Sequence, residues 1–440
     1  MRVELIAPSR DEPVGIGGKS SLAPPLALAI LAALTPPQVE VSLTDENVDP
    51  IDWAGYPDLV GVTCTTLTAT RAYAIADRFR AAGIRVVLGG LHPSALPQEA
   101  LAHADAVVVG EAETLWAQLL ADAGADGLRP VYQAPEYPAL AGLPFPRRDL
   151  FRRGKYLLPD TLFTTRGCPY GCSFCSVTTF FGGTYRSRPV EEVLAELGEM
   201  GSPRLLAFLD DNVAANPGRA KRLFRALAGR RLTWFGQADL NIARDEELLA
   251  TAAASGCTGL LIGIESISQA NLAAVGKRTN VAERYEAAIA RIQAHGIAVH
   301  GAFLVGLDED SEDAFAETLR FARRVRLESA QFNIPTPYPG TRLYAELERE
   351  GRIFDRDWSH YGSDRVVYTP RRLSVKRLQE GHDWLWREFY SLPCTWQRIG
   401  WSHPNWLLMW LINLNFRGSA GLLGPLSRLY DHLANRYGGV

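Results

Sequence analysis

Arg166-Gly-Cys168-Pro-Tyr-Gly-Cys172-Ser-Phe-Cys175 is the stretch of this 440-residue chain from which its fold and chemistry can be inferred. The cysteines have the spacing Cys-x3-Cys-x2-Cys, so three thiolates can reach three irons of one cubane cluster. No fourth cysteine lies nearby, which leaves one iron open, as a catalytic site requires. A structural zinc site would want a fourth Cys or His, and neither occurs between residues 150 and 200. The sequence therefore predicts a [4Fe–4S] cluster held by Cys168, Cys172 and Cys175.

Strand-like runs with helices between them extend from about residue 158 to residue 340. Six such βα units predict a partial (β/α)6 barrel. The predicted strands are Thr161–Thr165, Leu205–Phe208, Leu232–Gln237, Gly259–Ile264, Val299–Leu304 and Gln331–Ile334.

Polar residues stand at the carboxyl ends of these strands, where barrels of this kind carry their chemistry. The candidates are Asp210, Asp211 and Asn212 after the second strand, Gln237 at the end of the third, and Glu265 and Ser266 after the fourth. An acidic residue at a strand end is commonly only a helix N-cap, so each candidate is weak by itself. Their shared order along the barrel favours a binding site.

The residues before the barrel alternate between aliphatic strands and helices and predict a doubly wound, flavodoxin-like parallel sheet. Strands are expected at 3–7, 39–43, 58–63, 85–88 and 105–109, with helices such as Leu22–Leu34 and Ala69–Ala82 between them. Ligands of such sheets bind at the carboxyl ends of the strands, where glycines let the backbone approach. The candidate binding residues there are Gly17, Thr65, Thr66, Gly89, Gly90, Gly110 and Glu111.

Proline and arginine interrupt this pattern in PFPRRDLFRRGK, residues 144–155, which reads as a linker. We expect the N-terminal domain at 1–143, the linker at 144–157, the barrel at 158–364 and a helical, aromatic C-terminal region at 365–440. The linker arginines could hold an anionic cofactor group, but a solvated linker face is the favoured interpretation. The apolar run Trp406–Ile412 is shorter than the ~20 residues that span a bilayer. A helix packed on the barrel is favoured over contact with a membrane.

Composition excludes several classes of protein. A net charge of −3, without a basic tail, gives no general attraction to nucleic acid. The N-terminus has no signal-peptide core, and six cysteines at these positions do not resemble a disulfide framework, so a reducing cytoplasm is expected. Cys64, Cys257 and Cys394 are interpreted as small buried hydrophobic residues.

The cysteine spacing, together with Phe174 before the third cysteine, resembles the signature of the radical S-adenosylmethionine (SAM) superfamily. The resemblance implies that the open iron chelates SAM and that an electron from a reductant such as flavodoxin or ferredoxin cleaves it to a 5′-deoxyadenosyl radical. It also implies that 210–212 replace the motif that holds the SAM ammonium, that Gly263–Ser266 contact the ribose or methionine moiety, and that His300–Asp308 pack against adenine.

A doubly wound domain before such a barrel resembles the cobalamin-dependent branch of the superfamily. Segments that support this are Ser21–Pro25, Asp45–Asp49, Leu88–Pro93, Val109–Glu113 and Phe180–Pro189. One departure is that none of the eight histidines lies in the Asp-x-His-x-x-Gly motif that supplies a cobalt ligand in many cobalamin-binding domains. Cobalamin would then have no axial histidine from that motif, and His92 is expected to be structural. A domain that keeps the fold but has lost the cofactor is the alternative.

The leading hypothesis is a cobalamin-dependent radical SAM methyltransferase, in which one SAM supplies the methyl group through cobalamin and another supplies the radical. The methyl acceptor would be an unactivated centre of a small molecule, either a natural product or a lipid-like compound. A second hypothesis keeps both cofactors but catalyses a rearrangement, cyclisation or oxidation. A third is a cobalamin carrier or sensor with a structural cluster. The aromatic content of the C-terminal region favours an apolar or extended substrate.

Overall fold

Two six-stranded parallel sheets follow one another along the chain in the computed structural model, which describes residues 1–9, 22–400 and 406–419. The first sheet has the order β2-β1-β3-β4-β5-β6 and the second the order β14-β13-β12-β11-β10-β7. The strands are β1 Arg2–Ala7, β2 Glu40–Asp45, β3 Leu59–Thr63, β4 Arg85–Gly89, β5 Ala106–Val109, β6 Val131–Gln133, β7 Thr161–Leu162, β8 Thr165–Arg166, β9 Arg186–Ser187, β10 Leu205–Phe208, β11 Thr233–Ala238, β12 Cys257–Glu265, β13 Ala298–Leu304 and β14 Ser329–Asn333.

Helices connect the strands and cover both sheets. They are α1 Leu26–Leu34, α2 Ala69–Ala81, α3 Leu91–Ala95, α4 Pro97–Leu101, α5 Trp116–Gly124, α6 Ser176–Phe180, α7 Val190–Glu199, α8 Pro217–Leu227, α9 Glu246–Ala254, α10 Gln269–Ala274, α11 Tyr285–Ala294, α12 Asp313–Arg324, α13 Arg342–Arg349, α14 Val375–Phe389, α15 Leu392–Ile399 and α16 Trp406–Ser419. The first helix begins at Leu26 rather than at the predicted Leu22, because Pro24 and Pro25 precede it and a proline disfavours helix for the residue before it.

The first sheet confirms the flavodoxin-like prediction. Its central strands β3, β4 and β5 are largely apolar because helices bury both faces: Val86 packs on the side of α2, whereas Val87 packs on the side of α1 and α5. The order β2-β1-β3 makes a topological switch point at β1 and β3, and ligands of such sheets bind outside the carboxyl ends there. The three-residue strand β6 was not predicted, since it is too short for an alternating pattern.

The second sheet is the partial barrel that the six βα repeats predicted. Trp234 on β11 joins this sheet to α8, because it is fully buried between Phe208 of β10 and Phe224 of α8, with ring centroids 5.0 and 5.1 Å away. The first strand is shorter than the predicted Thr161–Thr165. Residues 165–166 leave the sheet and pair antiparallel with 186–187.

The C-terminal helices pack on the barrel, as the favoured interpretation of this region requires. Trp386 Nε1 donates to the Phe332 carbonyl at 2.9 Å, and Asn413 Nδ2 donates to the Glu328 carbonyl at 2.8 Å. Across the part of the chain that the structure describes, no helix combines the length and apolarity needed to cross a membrane.

All four linker arginines are paired with carboxylates of this chain. Arg147 pairs with Asp149, Arg148 with Glu196, Arg152 with Asp49 and Arg153 with Asp160. Arg147, Arg152 and Arg153 are exposed, as expected of a solvated linker face, whereas Arg148 is largely buried against Glu196. The domain boundaries remain predictions.

Candidate active site

The three clustered cysteines lie on one loop that follows β8. Ser173 anchors this loop on two sides: its N–H donates to the Val275 carbonyl at 2.9 Å, and its carbonyl accepts from the Leu343 N–H at 2.9 Å. Gly167 has φ 83°, and a side chain there would collide with the Thr184 carbonyl oxygen. The backbone of the cysteine loop is therefore positioned by three separate parts of the barrel.

The thiols of this loop suit a cubane cluster better than one metal ion. Cys168 and Cys175 are partly exposed, and burial raises the pKa of Cys172 to about 11. Within the described residues, no group of three His, Cys, Asp or Glu converges where a single ion could bind. A cubane does not need such convergence, because each thiolate ligates a different iron. Bound iron would supply the positive charge that holds the thiolates ionised.

A cavity of about 320 Å³, here called the barrel cavity, opens beside this loop at the carboxyl ends of β11 to β14. Cys168 and Phe174 line it from the cysteine loop. The polar side chains predicted from the strand ends that also line it are Asp211, Asn212, Gln237 and Glu265. Fold and sequence order thus bring four of the predicted residues to one place.

Lys277 is a cavity residue that the sequence analysis missed. Its Nζ lies 2.9 Å from Glu265 Oε1. Burial opposes the ammonium, but the Glu265 carboxylate raises the pKa of Lys277 above its usual value. Lys277 follows α10 in a loop with no strand-end signal, so only the fold could reveal it. The pair is a charged group beside the cysteine loop that could hold a zwitterionic ligand.

The backbone around this pair is irregular. Glu265 has φ 62°, and the pairing of β12 with β13 shifts register between Gly263 and Glu265. A β-carbon on Gly263 would collide with Glu265 Oε1 and lie 2.8 Å from Lys277 Nζ. Non-glycine residues in the left-handed region cluster at functional sites, where the surrounding structure stabilises them.

Two predicted residues do not open onto the barrel cavity. Asp210 is fully buried and accepts hydrogen bonds from the Thr164 backbone N–H and from the hydroxyls of Thr164 and Thr165. Ser266 is also buried, and its hydroxyl accepts from the Ser268 N–H at 3.1 Å. The backbone N–H of Thr164, just beyond β7, therefore bonds to this carboxylate rather than to a neighbouring strand. Both residues support the cavity wall from behind.

The adjacent acidic residue, Asp211, does reach the cavity. Its Oδ2 accepts from the Gly167 N–H at 2.8 Å, which ties the second strand end to the start of the cysteine loop. Burial raises the pKa of Asp211. Asn212 Nδ2 donates to Asp239 Oδ2 at 2.6 Å, and Asp239 is a second cavity residue that sequence reasoning missed.

An apolar cavity of about 280 Å³, here called the sheet slot, lies between the first sheet and the start of the barrel. It is lined by α1 and the strands β1, β3 and β4, together with Phe163, Leu209 and Asp211, which follow the barrel strands β7 and β10. Gly61, Gly89 and Gly90 line it. A β-carbon on Gly61 would lie 3.0 Å from Leu5 Cδ2, and Gly90 has φ 105°. The glycines therefore keep open a space that side chains would fill, which suits a flat ring system.

A larger cavity of about 580 Å³, here called the cleft cavity, lies between the strand ends of the first sheet and α6, which follows the cysteine loop. Thr65 and Thr66 line it, and Gly110 and Glu111 border both the cleft cavity and the sheet slot. A ligand with a broad head and an apolar tail could extend through both. Gly17, the remaining predicted residue, lies outside the described residues.

His92 has the structural role expected from its turn. It is fully buried, with Nδ1 3.3 Å from Thr66 Oγ1 and Nε2 3.1 Å from Glu99 Oε1. Both ring nitrogens thus already have partners within the protein. Cys64, Cys257 and Cys394 are buried, as predicted.

An ion-pair network links the first sheet to the start of the cysteine loop. Arg166 Nη1 bonds to Glu111 and lies 2.6 Å from Glu113 Oε1. Arg186 Nη2 is 2.6 Å from Glu111 Oε2, although these two groups are not aligned for a hydrogen bond. We call these four residues the Arg166 network.

Family models match both halves of the chain. The B12 binding domain model matches residues 20–120, and the Radical SAM superfamily model matches residues 162–322.

Individual proteins match over almost the whole length. The chain is 32% identical to Bacteriochlorophyllide d C-12(1)-methyltransferase of Chlorobaculum tepidum, over 88% of this chain and 87% of that protein. It is 33% identical to Bacteriochlorophyllide d C-8(2)-methyltransferase of the same organism, over 82% of this chain and 86% of that protein. The fold resembles the solved structure of the cobalamin-dependent S-adenosylmethionine radical enzyme OxsB, with a TM-score of 0.71 and 16% identity over 99% of this chain and 75% of that one.

Proposed function

The chain belongs to the cobalamin-dependent radical SAM methyltransferases, and we propose that it methylates an unactivated carbon of an apolar ring system related to the bacteriochlorophyllides. It is an enzyme that uses a [4Fe–4S] cluster, SAM and cobalamin, and its substrate is a small molecule. The adjacency of the cleft cavity and the barrel cavity carries this proposal, because methyl transfer of this kind needs two cofactors facing one acceptor.

When bound, the cluster and SAM would together supply a carbon radical able to remove a hydrogen atom from the acceptor. In the proposed site Cys168, Cys172 and Cys175 hold the cluster. The Lys277–Glu265 pair would bind the charged amino-acid end of SAM, with Lys277 toward a carboxylate and Glu265 toward an ammonium. Gln237 and Asn212 would donate or accept hydrogen bonds along the same wall.

Cobalamin carries the methyl group. We propose that residues of the cleft cavity would hold its ring and that the apolar sheet slot, past Gly110 and Glu111, would hold its benzimidazole group. Thr65 and Thr66 would form hydrogen bonds with the polar rim of the ring. The occupied nitrogens of His92 support binding without that histidine as a cobalt ligand. One turnover then consumes two SAM and two electrons and gives methionine, 5′-deoxyadenosine, S-adenosylhomocysteine and the methylated acceptor.

The acceptor class is supported by the relatives named above, whose names specify bacteriochlorophyllide d. We further propose that the enzyme works in the cytoplasm with a reductant such as flavodoxin or ferredoxin. The electron carrier would reach the cluster through its loop, where Pro169 and Gly171 are exposed.

The test is an anaerobic assay of holoenzyme with SAM, reduced flavodoxin and bacteriochlorophyllide d, analysed by mass spectrometry. We expect S-adenosylhomocysteine, 5′-deoxyadenosine and an acceptor heavier by one methylene unit in comparable amounts. Omitting hydroxocobalamin during reconstitution should remove the methylated product and leave 5′-deoxyadenosine.

Two other outcomes would contradict the proposal in different ways. An unchanged bacteriochlorophyllide, with tightly bound cobalt and active SAM cleavage, would reject the acceptor class. A modified acceptor accompanied by 5′-deoxyadenosine without S-adenosylhomocysteine would favour the second hypothesis, a rearrangement, cyclisation or oxidation.

A further inference from the structure

Tyr338 is the one residue in the described ranges that lines both the cleft cavity and the barrel cavity. It lies in the turn Pro335–Gly340, which follows β14. In the proposed function the first cavity takes the cobalamin ring and the second takes SAM. A side chain that borders both cavities therefore stands where the two cofactors come closest.

The turn around Tyr338 is fixed by three parts of the molecule. The Tyr338 carbonyl accepts from the Thr341 N–H at 3.1 Å, at the start of α13. The Thr179 hydroxyl, on α6, donates to the Gly340 carbonyl at 3.2 Å. Gly340 has φ 82°, and a β-carbon there would lie 3.3 Å from the β-carbon of Ala95 on α3. The helix α3 of the first sheet, the helix α6 after the cysteine loop and the barrel helix α13 therefore meet at this turn.

The Tyr338 hydroxyl is also held in place. It lies 3.1 Å from Ser363 Oγ, and Ser363 itself lines the barrel cavity. The Ser363 carbonyl accepts from the Ile334 N–H at 2.7 Å. The backbone of Ser363 has φ 66°, which is unusual for a residue other than glycine. The segment after the barrel therefore orients the ring and hydroxyl of Tyr338 before any ligand binds.

We infer that Tyr338 forms one wall of the methyl-acceptor site and positions the acceptor between the two cofactors. The inference rests on the proposed function, in which one carbon loses a hydrogen atom to the SAM side and gains a methyl group from the cobalamin side. Reacting atoms must approach to about 3–3.5 Å in a productive complex. The acceptor carbon must then lie at the junction, and Tyr338 supplies an apolar ring there with one polar anchor.

The placement is tested by chemical protection of three tyrosines in the wild-type protein. N-acetylimidazole acetylates accessible tyrosine hydroxyls, and peptide mass spectrometry reports each site. Tyr137 lines only the cleft cavity and Tyr170 only the barrel cavity, so they are matched controls for Tyr338. The protein carries its oxidised cluster, and the probes are hydroxocobalamin alone, SAM alone and both together.

We expect either probe alone to slow acetylation of Tyr338. Hydroxocobalamin should protect Tyr137 and not Tyr170, and SAM should protect Tyr170 and not Tyr137. At a tenfold excess of ligand over its Kd the slowing should be about tenfold. Protection of Tyr338 by only one probe, or by neither, while both controls respond as stated, overturns the inference. Controls that fail to respond would instead contradict the proposed cofactor placement.

A variant pair tests the positioning role. Tyr338→Phe keeps the ring and Tyr338→Ala removes it, while Tyr344→Phe, on α13 outside the three cavities, is the control. With bacteriochlorophyllide d, we expect Tyr338→Ala to raise the ratio of 5′-deoxyadenosine to methylated product at least tenfold, and Tyr338→Phe to raise it less. Cobalt content and SAM binding are measured for each variant, and the ratio is compared at saturating SAM and equal cobalt content, so that loss of a cofactor is distinguished from loss of positioning. An unchanged ratio in Tyr338→Ala would overturn the positioning role.

Discussion

At the scale of single residues, the cysteine loop sets apart three thiols of this chain from the other three. Cys257 is buried on β12, and its thiol donates to the Gly259 carbonyl at 3.8 Å. Cys172 is also buried but lies on a loop whose neighbours hold its backbone in place. Burial alone therefore does not distinguish a ligand from a core residue, whereas the spacing within the sequence does.

Replacement of Cys172 tests the cluster assignment directly. Cys172→Ala removes one of three thiolates, so we expect loss of stoichiometric iron and sulfide and no 5′-deoxyadenosine from SAM under reducing conditions. Cys257→Ala is the control and should retain both, at a stability cost of about 1 kcal/mol for the small cavity. Iron, sulfide and 5′-deoxyadenosine are quantified anaerobically. Formation of 5′-deoxyadenosine by Cys172→Ala at the wild-type rate would disprove the assignment.

Sequence reasoning found residues whose chemistry is local and missed those whose partners are distant. The cysteines, Asp211 and Glu265 could be predicted because each follows a recognisable strand or lies in a fixed spacing. Lys277 and Tyr338 could not, since nothing near them in the sequence indicates which cavity they border. Asp210 shows a limit of strand-end patterns, because a carboxylate at a strand end can face the cavity or support it from behind.

At the scale of secondary-structure elements, the bulge in β12 shapes the barrel cavity. Gly263 and Gly259 both lie on this strand, yet only Gly263 approaches charged groups. A β-carbon on Gly259 would meet its nearest neighbour, the Ala298 carbonyl oxygen, at an ordinary 3.7 Å. The two glycines therefore form a matched pair for testing how the strand positions Lys277 and Glu265.

We expect Gly263→Ala to weaken SAM binding and Gly259→Ala to leave it close to wild type. The added methyl group displaces Glu265 and Lys277 from each other, and loss of one charge-assisted contact is worth about 1.5–3 kcal/mol, or roughly a 10- to 100-fold rise in Kd. Equilibrium binding of SAM to the oxidised holoprotein measures it, with iron content as the check of folding. Equal affinities for SAM in the two variants would argue against the pair as a SAM ligand.

The loop that leaves β13 should give the protein a measurable pH dependence. Asp310 accepts from the N–H groups of Gly306 and Leu307 at 2.9 and 3.0 Å and from Asn271 Nδ2 at 2.7 Å. Burial raises the pKa of Asp310 to about 6, from an ordinary value of 3.8. Because the folded pKa is raised, the stabilisation is fully present below pH 3.8 and is lost as the pH rises through about 6.

Between pH 5 and pH 7, wild type should therefore lose about 1 kcal/mol of stability relative to Asp310→Asn, which has no proton to release. Thermal midpoints of both proteins at the two pH values measure this, and the difference between them cancels the titration of other groups. A constant difference between the midpoints would mean that Asp310 does not titrate in this range.

At the scale of the whole molecule, the repeating βα pattern predicted both sheets and their order in the chain. What it could not predict is how the two sheets meet, because the contacts between them join residues far apart in sequence. Glu99, on α4 between β4 and β5, accepts from Trp358 Nε1 at 2.9 Å. Arg166 reaches Glu111 across 55 positions of sequence. Contacts of this kind join the two halves, and residues of both halves line the cleft cavity.

The Arg166 network should be the strongest of these links, since its four side chains are largely removed from water. Glu111 faces both arginines, whereas Glu113 faces only Arg166. Removing one partner of a buried ion pair leaves an uncompensated charge, at a cost of about 3–5 kcal/mol. We can therefore predict which of the two carboxylates destabilises the protein more when it is removed, and not only how large each loss of stability is.

In the protein that carries the cluster but no cobalamin, we expect Glu111→Gln to lower the free energy of unfolding by about 3 kcal/mol. Glu113→Gln should lower it by less, because that change leaves each arginine one carboxylate partner. Since the network joins the sheets, thermal unfolding of Glu111→Gln should separate into two calorimetric transitions where the wild type shows one. Scanning calorimetry under anaerobic conditions measures both effects. Equal thermal midpoints for the two variants, or a single unshifted transition in Glu111→Gln, would contradict this expectation. Other contacts, such as that between Glu99 and Trp358, would then hold the two sheets together around the cleft.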